Sequence, residues 1–239
     1  MEEKKISIFD AFVFGFRATI DHVRLFVMVL LAGMILATGV ISLAALFNTD
    51  FIKKFHEVFP YLQQFQACLG PACITMIRPL IPLIKSHLIT LVIAGLLLSL
   101  VFCSFDLGTK KVGLDLYDTG TSSVDVAFSY FYLAPKIMFA WLLYAIVVGA
   151  GLALLIIPGI FLFLRLGFFP YFILEKNARI IDSFRYSYDL TEGHVWDLFV
   201  LWIITKLLLQ LGAMIWFGFF ITWPVSLLSH VFVYRKLLA

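Results

Sequence analysis

Two cations stand alone in long apolar surroundings: Arg165 within residues 137–174 and Lys206 within residues 198–234. A cation at the centre of a bilayer costs about 2.5–3.5 kcal/mol on insertion scales, so each asks for a partner. No acidic side chain lies in either stretch to supply one. Gln210 is one helical turn beyond Lys206 and shares its face. Guanidinium, ammonium and amide donors together suit an anion, and a lipid phosphate is the first candidate. Arg165, Lys206 and Gln210 therefore form a candidate anion or lipid-headgroup site. Arg165 is expected about 9 Å inward of an outer turn, and Lys206 about 15–18 Å from either end of its span, so their depths overlap. The competing reading is that both cations bond helix carbonyls, such as those freed near Pro158 or Pro224, or snorkel toward a headgroup. A salt bridge to Glu175 or Asp197 is a third arrangement.

Other chemistry is sparse. The carboxylates all fall in expected loops, surface helices or span ends, which argues against a buried proton relay. His22, His56, His87, His194 and His230 show no close ligand spacing, and no G-x-S-x-G, P-loop or H-E-x-x-H motif occurs. No catalytic residue, metal or cofactor is expected, and the chain does not read as an enzyme. Cys68 and Cys73 flank a Gly-Pro turn signal, so a small disulfide loop and two free thiols are both open readings. Cys103 reads as an apolar filler.

The elements that must position these residues are membrane spans. The chain is 62% hydrophobic and 14% charged, against roughly 45–50% and 25% for an average soluble domain. Residues 137–174 as one helix would run about 57 Å at ~1.5 Å per residue, nearly twice the ~30 Å hydrocarbon thickness, so the stretch must fold back, with Pro158-Gly159 the expected turn. Leu198–Tyr234 repeats that design, and Leu25–Phe47 and Leu88–Phe105 add two spans. The expectation is an all-α polytopic protein of six transmembrane helices. Its parts are an amphipathic helix and span 1 (1–47), an outer segment (48–79), span 2 (80–105), an inner loop and amphipathic helix (106–135), spans 3 and 4 (136–175), an inner amphipathic helix (176–194), and spans 5 and 6 (195–239). Within the outer segment, Asp50–Gln66 has helical spacing. Of the eighteen Lys and Arg residues, twelve fall on the inner side of this topology, four on the outer side and two in the spans, which predicts cytoplasmic N- and C-termini. The net charge of +3 is too small to suggest nucleic-acid binding.

Residues 7–23 can be laid on 179–195 without a gap. Ile8/Ile180, Asp10/Asp182, Phe12/Phe184, Thr19/Thr191, His22/His194 and Val23/Val195 are identical. A weaker third copy starts at Ser122. Ser7-x-x-Asp10 and Ser122-x-x-Asp125 have capping-box spacing. Three units follow, each an amphipathic helix feeding a two-span hairpin. The expected apolar faces are Ile8, Phe12 and Phe16 in the first copy, and Ile180, Phe184 and Tyr188 in the last. These helices are expected in the inner headgroup region, apolar face toward the lipid or the bundle. Gly149, Gly151 and Gly159 are expected to allow close helix contact.

Ile156-Ile157-Pro158-Gly159-Ile160, Arg165 and Pro170-Tyr171 resemble the signature of an uncharacterised bacterial integral-membrane family. Ser187, Leu190-Thr191, Gly193, Trp196 and Phe199, then Pro224 and Tyr234-Arg235-Lys236-Leu237, continue the likeness over residues 120–239. That family includes the membrane domain fused to some glycerophosphodiester phosphodiesterases. The resemblance implies a six-helix domain and no activity. The expected protein is a multi-pass component of a bacterial inner membrane, a non-enzymatic scaffold or regulatory protein. The alternative is a transporter or translocating protein for an anionic lipid or other anion. The expected partners are the bilayer and an anionic lipid.

Overall fold

A computed structural model describes residues 7–46, 53, 80–215 and 218–239. The expected surface helix at 50–66 and the Cys68–Cys73 pair lie outside the described residues. The helices are α1 (Ile8–Asp21), α2 (Val23–Leu46), α3 (Leu80–Thr119), α4 (Ala134–Leu154), α5 (Ile156–Leu166), α6 (Phe169–Lys176), α7 (Ile180–Leu190), α8 (Val195–Met214) and α9 (Phe219–Leu238). Two tight 3-10 turns, Val124–Phe128 and Phe131–Leu133, lead into α4. Among the described residues, five segments are long and apolar enough to cross a membrane: Val23–Leu43, Leu88–Thr119, Val124–Leu154, Ile156–Lys176 and Val195–Met214. The chain is an all-helical, multi-pass membrane protein.

It divides into two compact units, Met1–Gly33 with Phe102–Ala239, and Met34–Val101. The second unit presents apolar side chains outward along α2 and α3, among them Ile35 and Ile89, as helices facing lipid do. The first unit holds the functional candidates. Its core gathers Leu107, Leu114, Ile137, Phe169, Ile173, Leu201, Val231 and Tyr234. A neighbouring cluster holds Phe26, Val29, Val112, Leu116, Ala127 and Leu228.

Three elements depart from the sequence expectation. Residues 106–119 are helix rather than inner loop, because the Lys110–Asp106 and Lys111–Asp115 pairs fall at i,i+4 and Leu107, Val112 and Leu114 are buried. The helix stops where Gly120 takes a φ of 73°, the backbone a helix C-terminus commonly needs. The hairpin turn comes at Leu155, which is extended, and Pro158 lies in the first turn of α5, where its missing N–H breaks no helical bond. A Cβ on Gly159 would lie 2.6 Å from the Leu152 backbone nitrogen. Gly151 and Gly159 make the close contact, whereas a Cβ on Gly149 would meet nothing within 4 Å. The amphipathic segment expected from Ser122 is a pair of 3-10 turns rather than an α-helix, and Ser123 takes its N-cap position without a side-chain capping bond. Its backbone comes so close to α3 that Gly108 leaves no room for a Cβ beneath the Ala127 carbonyl.

In the two repeat-related helices the expected apolar faces meet the core in part: Ile8, Phe12 and Ile180 pack against it and Phe184 is buried in it. Ser7 caps α1 as the spacing predicts, its hydroxyl accepting from the Asp10 N–H at 3.2 Å. However, Phe16 is exposed, and the buried residues of α1 are Ala11, Gly15 and Thr19. In α7 the buried residues are Ser183, Phe184 and Ser187, with Thr191 at its cap. Positions 11/183, 15/187 and 19/191 are equivalent in the repeat. A stripe of small or hydroxylated residues thus seats each helix, α1 on α9 and α7 on α6, as suits close approach between helices in a membrane. Serine hydroxyls cross between helices on both stripes: Ser229 of α9 donates to the Ala11 carbonyl of α1 (3.2 Å), and Ser187 of α7 donates to the Arg165 carbonyl of α5 (2.7 Å).

Candidate functional site

Arg165 closes the last turn of α5 and is 7% exposed. Its Nη2 donates to the Tyr188 carbonyl at 2.7 Å, and its Nε lies 3.5 Å from the Thr191 Oγ1. The guanidinium carbon stands 3.4 Å from the centroid of the Tyr188 ring and 5.2 Å from that of Phe161. Tyr188 and Thr191 form the C-terminal end of α7, where unpaired carbonyls and the helix dipole favour a cation. Arg165 caps a neighbouring helix. Its own carbonyl accepts from Ser187 and Thr191, and the Phe168 N–H, at the turn between α5 and α6, donates to the Ser187 Oγ at 3.1 Å. One buried knot therefore joins α5, α6 and α7.

Lys206 and Gln210 are exposed on α8. Lys206 makes no hydrogen bond or ion pair among the described residues. The structure buries Arg165 against α7 and leaves Lys206 and Gln210 on an outward face, so the three are not drawn into one cluster. A carbonyl does hold Arg165, but it belongs to Tyr188 of α7 rather than to a helix broken by Pro158 or Pro224. Glu175 is engaged elsewhere. It takes Arg235 in a two-pronged pair at 2.6 and 3.2 Å, and its Oε2 accepts the Tyr234 hydroxyl at 2.8 Å. Arg235 also pairs with Asp118. Burial opposes the Arg235 charge, and the Glu175 and Asp118 carboxylates more than offset it, raising its pKa. Asp197 lies 3.3 Å from the His194 Nδ1. Lys136 bonds the carbonyl and side chain of Asn177, at 2.9 and 2.6 Å, where Asn177 takes the left-handed backbone at the end of α6.

A separate cavity of about 340 Å³ lies among α3, α4, α5, α6, α8 and α9. Aromatic side chains wall it: Trp141 and Tyr144 from α4, Phe163 from α5, Tyr171 from α6, Trp202 from α8 and Trp223 from α9. Its polar groups are Lys110, Ser226 and His230. Lys110 is held by Asp106, whose second oxygen is buried with no partner among the described residues. The His230 Nδ1 lies 2.8 Å from the Ser226 carbonyl. A carbonyl only accepts, so Nδ1 carries the hydrogen and Nε2 is left as the free nitrogen. Tyr144 donates to the Phe163 carbonyl at 2.9 Å. The indole N–H groups of Trp141 and Trp202 are buried without a partner among the described residues. A buried donor left unmade costs about 1–3 kcal/mol.

The sequence pointed to Arg165 but could not find Lys110, Trp141, Trp202 or His230. Lys110 reads there as an inner-loop charge, and the tryptophans read as ordinary span residues. The i,i+4 acid–base spacings of Asp106 with Lys110 and of Lys111 with Asp115 are the signals that the helix carries on to bring Lys110 inward.

No protein-family model matches the chain, and no solved structure matches it. A UPF0259 membrane protein from Wigglesworthia glossinidia brevipalpis is 34% identical over 80 residues, which is 32% of this chain and 31% of that protein. The chain thus spans about a third of the length of the curated relative it matches. The similarity supports a link to an uncharacterised family of membrane proteins.

Proposed function

We propose that this multi-pass protein is a non-enzymatic scaffold or regulatory component of a bacterial inner membrane. The observation that carries the reading is the use of Arg165. The most deeply buried cation caps α7 and binds three helices together, where a transport site would hold it open to a solute. The same reading has six spans, with α9 as the sixth, and cytoplasmic termini. It has three units, of which the first and third seat their amphipathic helices through equivalent small-residue stripes. It also takes the chain as a counterpart of the membrane domain fused to some glycerophosphodiester phosphodiesterases. Arg235, which the charge bias assigns to the inner side, supports this topology, since Asp118 next to the inner loop and Glu175 at a span end both meet it.

Lys206 favours a second reading, translocation of an anionic lipid, because it stands exposed with Gln210 on a membrane helix. The two readings separate in vesicles containing the purified protein and a trace of headgroup-labelled phosphatidylglycerol. The scaffold reading expects a membrane-impermeant reductant to bleach the same fraction of label as in protein-free vesicles. Bleaching that continues to completion, and is lost in Lys206→Ala, would overturn it in favour of translocation.

A further inference from the structure

We infer that the aromatic cavity among α3, α4, α5, α6, α8 and α9 binds a single-chain amphiphile through an anionic oxygen headgroup. This goes beyond the scaffold reading and does not depend on it. The size sets the first limit. At about 340 Å³ the cavity is near the small end of the roughly 300–1,000 Å³ typical of ligand sites. It suits one acyl chain and leaves no room for the second chain of a phospholipid.

The wall chemistry sets the second limit. Rings and aliphatic side chains dominate it, and hydrocarbon is the matching cargo. The polar groups are mainly donors: the Lys110 ammonium, the Ser226 hydroxyl, and the Trp141 and Trp202 indoles. Trp141 and Trp202 are lining residues whose indole N–H groups are buried and unpartnered among the described residues. A donor in that state calls for an acceptor that the helices themselves do not provide. Among the described lining residues none is a carboxylate, and Lys110 is the cation. Its Asp106 partner sits on the same helix one turn away, so the ammonium keeps hydrogens free for another acceptor. A carboxylate and a phosphate monoester both supply negatively charged oxygens for such donors.

The test uses the full-length protein in detergent and the quenching of its own tryptophans by brominated chains. Three probes are titrated: 9,10-dibromostearate, its methyl ester, and the lysophosphatidate carrying the same acyl chain. Saturable quenching is expected, with at least one anionic probe binding about tenfold or more tightly than the ester. The tighter of the two anions identifies the headgroup as carboxylate or phosphate. Lys110→Met is expected to bring the anion down to the affinity of the ester. Trp202→Phe, which keeps the ring and removes the N–H, is expected to weaken the anion and leave the ester unchanged. Leu209→Phe, which narrows the cavity, is expected to weaken all three probes. Non-saturable quenching of the wild type would overturn the site. Saturable binding with equal affinity for acid, ester and lysophosphatidate would overturn the anionic headgroup. Both of those results come from the wild type alone, so neither depends on how a variant folds.

Discussion

Ser187 and Ser183 are both fully buried on the same stripe of α7, one turn apart, and the structure assigns them different work. The Ser183 hydroxyl bonds back to the Ile180 carbonyl of its own helix at 2.6 Å. The Ser187 hydroxyl bonds across, donating to the Arg165 carbonyl at 2.7 Å and accepting the Phe168 N–H at 3.1 Å. Ser187→Ala leaves the Arg165 carbonyl with the Thr191 hydroxyl as a second donor. That loss is at the low end of the ~0.5–1.5 kcal/mol net for a hydrogen bond. The Phe168 N–H has no such substitute in the knot, and an unsatisfied buried donor costs about 1–3 kcal/mol. The total is about 1.5–3.5 kcal/mol, roughly a 10- to 300-fold shift in the folding equilibrium. Ser183→Ala removes only a local back-bond, which contributes little to a helix, so under about 1 kcal/mol is expected. Unfolding of both variants by increasing mole fraction of sodium dodecyl sulfate in mixed micelles, followed by circular dichroism, measures the difference. Equal losses, or a Ser187→Ala loss below about 0.5 kcal/mol, would refute the knot as the tie between α5, α6 and α7.

Further outcomes follow from the same contacts. Gly15→Val is expected to lift α1 off α9 and lower stability by about 1–3 kcal/mol through overpacking, because a Cβ there would stand 2.7 Å from the Val225 carbonyl oxygen. Gly39→Val, with nothing within 4 Å, is expected to stay near neutral in the same assay. Glu175→Gln is expected to cost roughly 1 kcal/mol, since the Arg235 pair is partly open to solvent, and raising the salt concentration is expected to shrink the difference from wild type. Single cysteines at Thr49 and Thr121 in a cysteine-free background are expected to label from outside and inside respectively, and reversed labelling would overturn the orientation.

The apolar runs could be read from the chain alone because lipid selects on composition, and each span answers to its own residues. The Ser7 cap and the fold-back after α4 were legible for a similar reason, being set within a few residues of chain. The turn nevertheless came at Leu155, since proline fits a first helical turn as well as a break. The small-residue stripes of α1 and α7 escape hydrophobic periodicity, which ranks phenylalanine above glycine and serine. Close contact between helices in a membrane favours the small side chains. The Arg165 partner was out of reach for a different reason. A search for carboxylates cannot find a backbone carbonyl, which every residue carries and only a helix end leaves free.

What the residue order establishes here is therefore local and compositional: membrane insertion, helical spans, the Ser7 cap, and a repeat between residues 7–23 and 179–195. Assembly decided the rest. Arg165 meets Tyr188 and Thr191 across a chain reversal, and Lys110 and His230 face one cavity from helices far apart in sequence. Where a cation finds its counterpart, and where packed helices leave space, depends on how surfaces from distant segments fit. No window of neighbouring residues encodes that fit.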